Sequence, residues 1–294
     1  MLVIIGYIVV LGAVFGGFAV GGGHLGSMLQ PAELIMIAGS AAGAFIVGNS
    51  GKAIKATLKS LPAIFRSSKY TKAVYMELMA LFYEILAKVR KEGLMSIEAD
   101  VDYPQQSPLF VKYPKILAHR HAIEFLTDYL RLMVGGNLNA IELENLMDSE
   151  IETHHQEGEL PVHVILKAGD GLPAFGIVVA VMGVVHTMES VGLPPAELGK
   201  LIAAALVGTF LGILLSYGFI SPLAGRVEQR LHESTKLFEC IKVTLLASLN
   251  GYSPAVAVEF GRKVLYSTER PSFFELEEHV KRNKSKVTAS TGNS

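Results

Sequence analysis

The stretch ALVGTFLGILLSYGFISP, residues 205–222, decides the fold. It carries no charge and approaches the roughly 20 apolar residues that a helix needs to cross a bilayer. Counting from Ala204, small residues recur at every fourth position, as Gly208, Gly212 and Ser216, and a neighbouring line holds Ala205, Thr209, Gly212 and Ser216. Helices in lipid gain little by hiding apolar surface from one another. They associate where small side chains let backbones approach, and Gly208 with Gly212 forms a GxxxG step. Pro222 removes a helix donor at the end of the stretch and permits a kink there. The pattern predicts a helix packed against other helices through Gly208, Gly212 and Ser216.

Three further segments share this character. Residues 2–20 are uncharged and one bilayer long, with Gly12, Gly16 and Gly17 predicting helix contacts, and read as an uncleaved first span. Residues 34–48 form a shorter second span with Glu33 at its outer end, and residues 171–188 a third; residues 201–222 complete the fourth. The third span has its own small-residue line of Pro173, Gly176, Ala180, Gly183 and Thr187, able to face that of the fourth. From periodicity alone this is ordinary helix packing.

Half of the 294 residues are apolar and 18% are charged, a balance few soluble proteins show. The net charge of −1 gives no global attraction to nucleic acid or anionic lipid. A lone cysteine, Cys240, excludes an internal disulfide. Of 26 Lys and Arg, 14 lie in residues 51–169 and 11 beyond Pro222, leaving only Lys200 in a short loop. Positive residues stay on the cytoplasmic side, so both termini and the central segment are expected there.

The fold expected is therefore an all-α membrane protein with four transmembrane helices. Spans 1 and 2 occupy residues 1–50, a cytoplasmic helical domain 51–170, spans 3 and 4 residues 171–222, a cytoplasmic helical extension 223–282 and a disordered tail 283–294. Within the cytoplasmic part, Lys52, Lys55, Lys59 and Arg66 suit lipid headgroups. Helices are predicted over 70–91, stopping at Gly93, over 116–134, stopping at Gly135 and Gly136, and over 139–152, where Asn139 and Glu142 fit a capping pair. A last helix is predicted over 272–281, after Pro271.

Ala205, Leu206, Gly208, Thr209, Gly212 and a proline ten residues after that glycine match the signature of the MotA/TolQ/ExbB proton-channel family. PAFGIVVAVMG, residues 173–183, resembles its motility protein A branch, and the likeness covers all but the last dozen residues. In that branch the third and fourth spans line an ion path. The resemblance therefore implies that Thr209, Ala180, Gly176, Pro173, Pro222 and Tyr217 border such a path here. The family forms a five-membered ring around a dimer of motility protein B, whose single span carries an Asp. That donation matters, because a proton or sodium path normally needs an intramembrane carboxylate. The middle of these four spans has none: Glu33, Glu189 and Glu197 lie at outer ends, and His186 beside one of them. Sodium-driven relatives carry Thr where Ala180 stands, so a ligand oxygen is missing and proton coupling is expected.

Arg90 lies in the last turn of a predicted helix, where a cation favours the dipole, and Glu98 reads as a solvated loop charge. The resemblance implies instead that both face the charged ridge of the rotor protein FliG, with Lys91 and Asp100 sharing the role. A proline near the cytoplasmic end of a span is either tolerated or a hinge; for Pro173 and Pro222 the resemblance implies the hinge. His119, His121, His154, His155 and His163 have no metal-ligand spacing, and His154 and His155 should point apart on a helix. No Walker loop, GxGxxG or nucleophile elbow occurs, so no enzyme, cofactor or metal is expected. A TolQ/ExbB-like energiser of the outer membrane and a non-conducting scaffold are the alternatives to a stator. The energisers have three spans, with the main cytoplasmic segment after the first rather than the second.

Overall fold

Glycine, proline and capping side chains punctuate this chain into helices, and no strand occurs among the described residues. The structure, a computed structural model, describes residues 2–66, 68–136 and 139–279. The helices are α1 (Leu2–Val20), α2 (Pro31–Val47), α3 (Gly51–Ile64), α4 (Lys72–Glu92), α5 (Glu98–Asp102), α6 (Pro108–Val111), α7 (Pro114–Leu117), α8 (Arg120–Gly135), α9 (Ala140–Glu189), α10 (Pro195–Ile213), α11 (Ser221–Leu249) and α12 (Pro254–Val264). A seven-residue π segment, Leu214–Ile220, joins α10 to α11. Residues 273–279 are helical as well, and the expected tail 283–294 lies outside the described residues.

Local chemistry sets the boundaries. Proline stands at the first turn of α2, α6, α7, α10 and α12, where its missing N–H costs nothing. Gly93 (φ +86°) ends α4 and Gly136 (φ +69°) ends α8, conformations a Cβ would strain. Asn139 and Glu142 close the capping pair that starts α9: Asn139 N–H donates to Glu142 Oε2 at 3.0 Å, and Glu142 N–H to Asn139 Oδ1 at 2.9 Å. Ser272 and Glu275 repeat the device before residues 273–279.

Four helical segments among the described residues are long and apolar enough to cross a membrane: Leu2–Val20, Leu25–Val47, Ala140–Glu189 and Pro195–Leu249. The third differs from expectation. The helix expected over 139–152 and the span over 171–188 are parts of one 50-residue helix, with Pro161 and Pro173 inside it. Proline forfeits one hydrogen bond and crowds the carbonyl four residues back, which bends a helix without ending it when neighbours hold both halves. Conversely, the helix expected over 116–134 is split, because His119 leaves the helical region between α7 and α8. A Cβ on Gly12, Gly16 or Gly17 would meet no atom of this chain within 4 Å, so these glycines make no close helix contact within it.

The chain divides into two units, residues 1–67 with 156–231, and residues 68–155 with 232–294. In the second, α4, α8 and parts of α9, α11 and α12 bury one core that includes Leu78, Phe82, Leu126, Leu130, Met147 and Ile241. Each such side chain contributes about 1.5–3 kcal/mol. Cys240 is buried here, which pushes its thiol up to about 12 and leaves it unreactive. The first unit is different in kind. Nothing in α1 is buried, and Leu2, Ile8 and Val20 are largely exposed, a surface suited to lipid rather than water.

Candidate functional site

The centre of the first unit is the contact between α9 and α10, and it is made of backbone. A Cβ placed on Gly176 would lie 2.7 Å from the Gly208 carbonyl oxygen and 3.2 Å from Gly212 Cα. One on Gly212 would lie 2.6 Å from the Leu172 carbonyl oxygen, and one on Gly183 2.9 Å from Ala205 Cα. Helices meet this closely only where side chains are absent, which is the use of small residues between membrane helices. Ile37 of α2 packs with Leu172 and Val179 of α9, and with Leu211 beside them, to close one flank.

Thr209 and Ala180 stand beside this seam. Thr209 Cα lies 3.3 Å, and Ala180 N 3.4 Å, from the Cβ positions of Gly176 and Gly208 respectively. Both residues are partly exposed. The Thr209 hydroxyl has no hydrogen-bond partner among the described residues, whereas Thr187 on α9 returns its hydroxyl to the Gly183 carbonyl at 2.8 Å. Ser216 is wholly buried with its Oγ unpartnered, while its neighbour Tyr217 points outward and is 65% exposed, away from the seam. Pro173 is partly buried and Pro222 exposed. The seam therefore offers carbonyls and hydroxyls but no carboxylate: residues 171–188 and 201–222 contain no Asp, Glu, Lys or Arg.

Three features of this unit escape sequence reasoning. Glu33, expected at an outer end, is 8% exposed in the first turn of α2, with Oε2 buried and unpartnered. The kink expected at Pro222 is instead the π segment, in which Ser221 N–H reaches back five residues to the Ser216 carbonyl. Widening the turn ahead of the proline relieves the clash its ring makes in an α-helix. Third, the Tyr7 hydroxyl of α1 donates to the Phe219 carbonyl at 3.0 Å, and the two rings lie 4.8 Å apart. The pairing joins residues 212 apart in the chain, and no local pattern signals it.

In the second unit Arg90, Lys91 and Glu98 are exposed at the end of α4 and the start of α5. Arg90 and Glu98 have no ion-pair partner among the described residues, and Lys91 reaches only its neighbour Glu92 at 3.5 Å. Asp100, expected to share their role, is committed internally. Lys88 Nζ lies 2.7 Å from its Oδ2, and Ser107 Oγ donates to its Oδ1 at 2.6 Å while capping α6. His154 and His155 reach different residues of α11: Nε2 of His154 lies 3.2 Å from Ser234 Oγ, and Nδ1 of His155 3.3 Å from Thr235 Oγ1.

Known proteins share this architecture. Residues 4–93 match the family described as Motility protein A N-terminal, and residues 119–240 match the MotA/TolQ/ExbB proton channel family. Motility protein A of Salmonella typhimurium is 59% identical over 96% of this chain and 95% of its own length. That of Escherichia coli is 60% identical over the same shares. The solved flagellar MotAB stator complex from Bacillus subtilis superposes with a TM-score of 0.72 at 25% identity, over 87% of this chain and 92% of that one.

Proposed function

This chain belongs to the motility protein A family, a branch of the MotA/TolQ/ExbB proton channels, and from that premise we propose that it is the proton-channel subunit of a flagellar stator. One observation carries the mechanism: the α9–α10 seam is backbone-tight and lined by hydroxyls and carbonyls, with no carboxylate of its own. Proton transfer through lipid needs a group that binds and releases the ion. A second chain supplies it: motility protein B brings an intramembrane Asp, and the solved relative being a MotAB stator complex supports a partner of that kind. Thr209, with a free hydroxyl beside the seam, hydrogen-bonds near that Asp and helps set its protonation equilibrium. Ala180 offers a methyl where a sodium path would want oxygen, so the carried ion is the proton.

The remaining parts follow. Copies of this chain surround the partner as a five-membered ring in the inner membrane, with both termini and the second unit in the cytoplasm, as the placement of Lys and Arg favours. Pro173 and the π segment before Pro222 pass the partner's protonation to the second unit. One charge crossing 100 mV releases about 2.3 kcal/mol, a shift of about fiftyfold in a two-state equilibrium. Arg90, Lys91 and Glu98 then meet the rotor protein FliG, and Asp100 shapes their platform.

Proton flux into liposomes tests the reading. The purified chain alone should hold a pH gradient, and co-reconstitution with the partner should dissipate it at a rate unchanged when potassium replaces sodium. Thr209→Val should slow that flux. Full conduction by the chain alone would overturn the proposal, and an unaltered rate in the valine variant would remove Thr209 from it.

A further inference from the structure

An apolar groove of about 300 Å³ lies between α1 and the start of α11. Val3, Gly6 and Val10 form one wall, Gly218 and Pro222 the other, and Arg226 closes the end. The walls approach closely at one point, where a Cβ on Gly218 would stand 3.2 Å from Val10 Cγ1. Elsewhere they are separate, and a Cβ on Gly6 would meet no atom within 4 Å. The guanidinium at the end is under-used. Nη1 donates to Gln229 Oε1 at 2.8 Å, Nε is buried without an acceptor, and no carboxylate pairs with Arg226 among the described residues.

We infer that this groove holds an anionic phospholipid, its phosphodiester on the Arg226 guanidinium and an acyl chain along Val3, Gly6 and Val10. A guanidinium presents a planar fork of donors that matches a phosphate, and losing water at a buried cation costs free energy unless an anion replaces it. A free phosphate answers only half of the site, because the side chains beyond Arg226 are apolar apart from Tyr7, whose hydroxyl is already given to the Phe219 carbonyl. A lipid answers both halves. Its neighbourhood agrees: Val3 and Leu223 share a cluster with Leu61 and Ile64 of α3, whose Lys52, Lys55 and Lys59 are exposed. Anionic headgroups concentrate in the cytoplasmic leaflet, so the inference rests on the orientation proposed above.

Native mass spectrometry of the full-length chain, released from bilayers of phosphatidylglycerol or of phosphatidylcholine, reads the site directly. The wild type should retain phosphatidylglycerol at least tenfold better. Arg226→Gln should bring that retention down to the phosphatidylcholine level, and Gly6→Leu, which adds bulk to the groove from a position where a Cβ meets no atom, should lower retention of both lipids. Equal retention of the two lipids by the wild type would sink the inference. So would unchanged retention in Arg226→Gln, displacement by millimolar inorganic phosphate, or a disulfide between two copies carrying Val3→Cys, which would make the occupant a second chain. The orientation is checked separately by labelling Glu228→Cys with a membrane-impermeant maleimide. Labelling from the periplasmic side would refute the orientation while leaving lipid retention to be read by itself.

Discussion

Gly176 and Gly212 sit where each missing Cβ is a backbone atom of the neighbouring helix. The glycines of α1 are chemically the same and structurally unlike them, since Gly12 and Gly16 face open space. Substitution separates the two kinds. Gly176→Ala forces α9 and α10 apart against a carbonyl that has nowhere to move, a cost of about 1–3 kcal/mol or more for overpacking. Gly12→Ala meets no atom and gains up to about 1 kcal/mol of helix propensity. Assembly with the partner, read by co-purification from detergent, should therefore fall steeply for Gly176→Ala and hold for Gly12→Ala. The GxxxG pattern predicts the contact at Gly208 and Gly212, yet the same reading of Gly12, Gly16 and Gly17 predicts contacts that do not form within the chain. Spacing reports which glycines share a face, and only a facing helix gives that face a use.

The π segment Leu214–Ile220 is the element on which α10 turns into α11. Pro222 favours it, because the widened turn eases the ring past a carbonyl, and Tyr7 steadies it by donating to the Phe219 oxygen. Pro222→Ala removes the clash and restores a donor, so the segment should revert toward α-helix. Hydrogen exchange across 214–222 should slow in that variant. Tyr7→Phe should do the opposite, speeding exchange by the loss of a hydrogen bond worth about 0.5–1.5 kcal/mol. Unchanged exchange in both would show that the segment is not held in the way described. A proline in a span is legible as an interruption. Whether the interruption becomes a kink or a widened turn depends on α1, which lies more than 200 residues away in sequence.

For the whole molecule, the proposed function assigns conduction and pushing to different units, one lipid-facing with a glycine seam and the other with a conventional buried core. The exposed charges at the end of α4 belong to the second. Isolated surface pairs are worth about 0–1 kcal/mol and are screened by salt, so such charges steer a contact without cementing it. That suits a contact remade at every step. Arg90→Glu should leave assembly and proton flux intact while torque, measured by the rotation of tethered cells, falls. Asp100→Asn should act otherwise, loosening the ties of Lys88 and Ser107 and lowering the stability of the second unit. Equal loss of flux and torque in Arg90→Glu would place that residue in the channel.

The apolar runs, the recurring small residues and the uneven Lys and Arg were enough to give four span-length helical segments and an all-helical chain, since hydropathy and backbone satisfaction in lipid leave few other solutions. Caps were legible for the same reason, being local: Gly93, Gly136 and the Asn139–Glu142 pair act within a few residues. Folding was required to join two predicted helices through Pro161 and Pro173, to bury Glu33, to turn Asp100 inward and to leave Arg226 facing an apolar groove. Each of those outcomes depends on which distant side chain or backbone stands opposite. A one-dimensional pattern carries the preference of a residue, but its partner comes from packing.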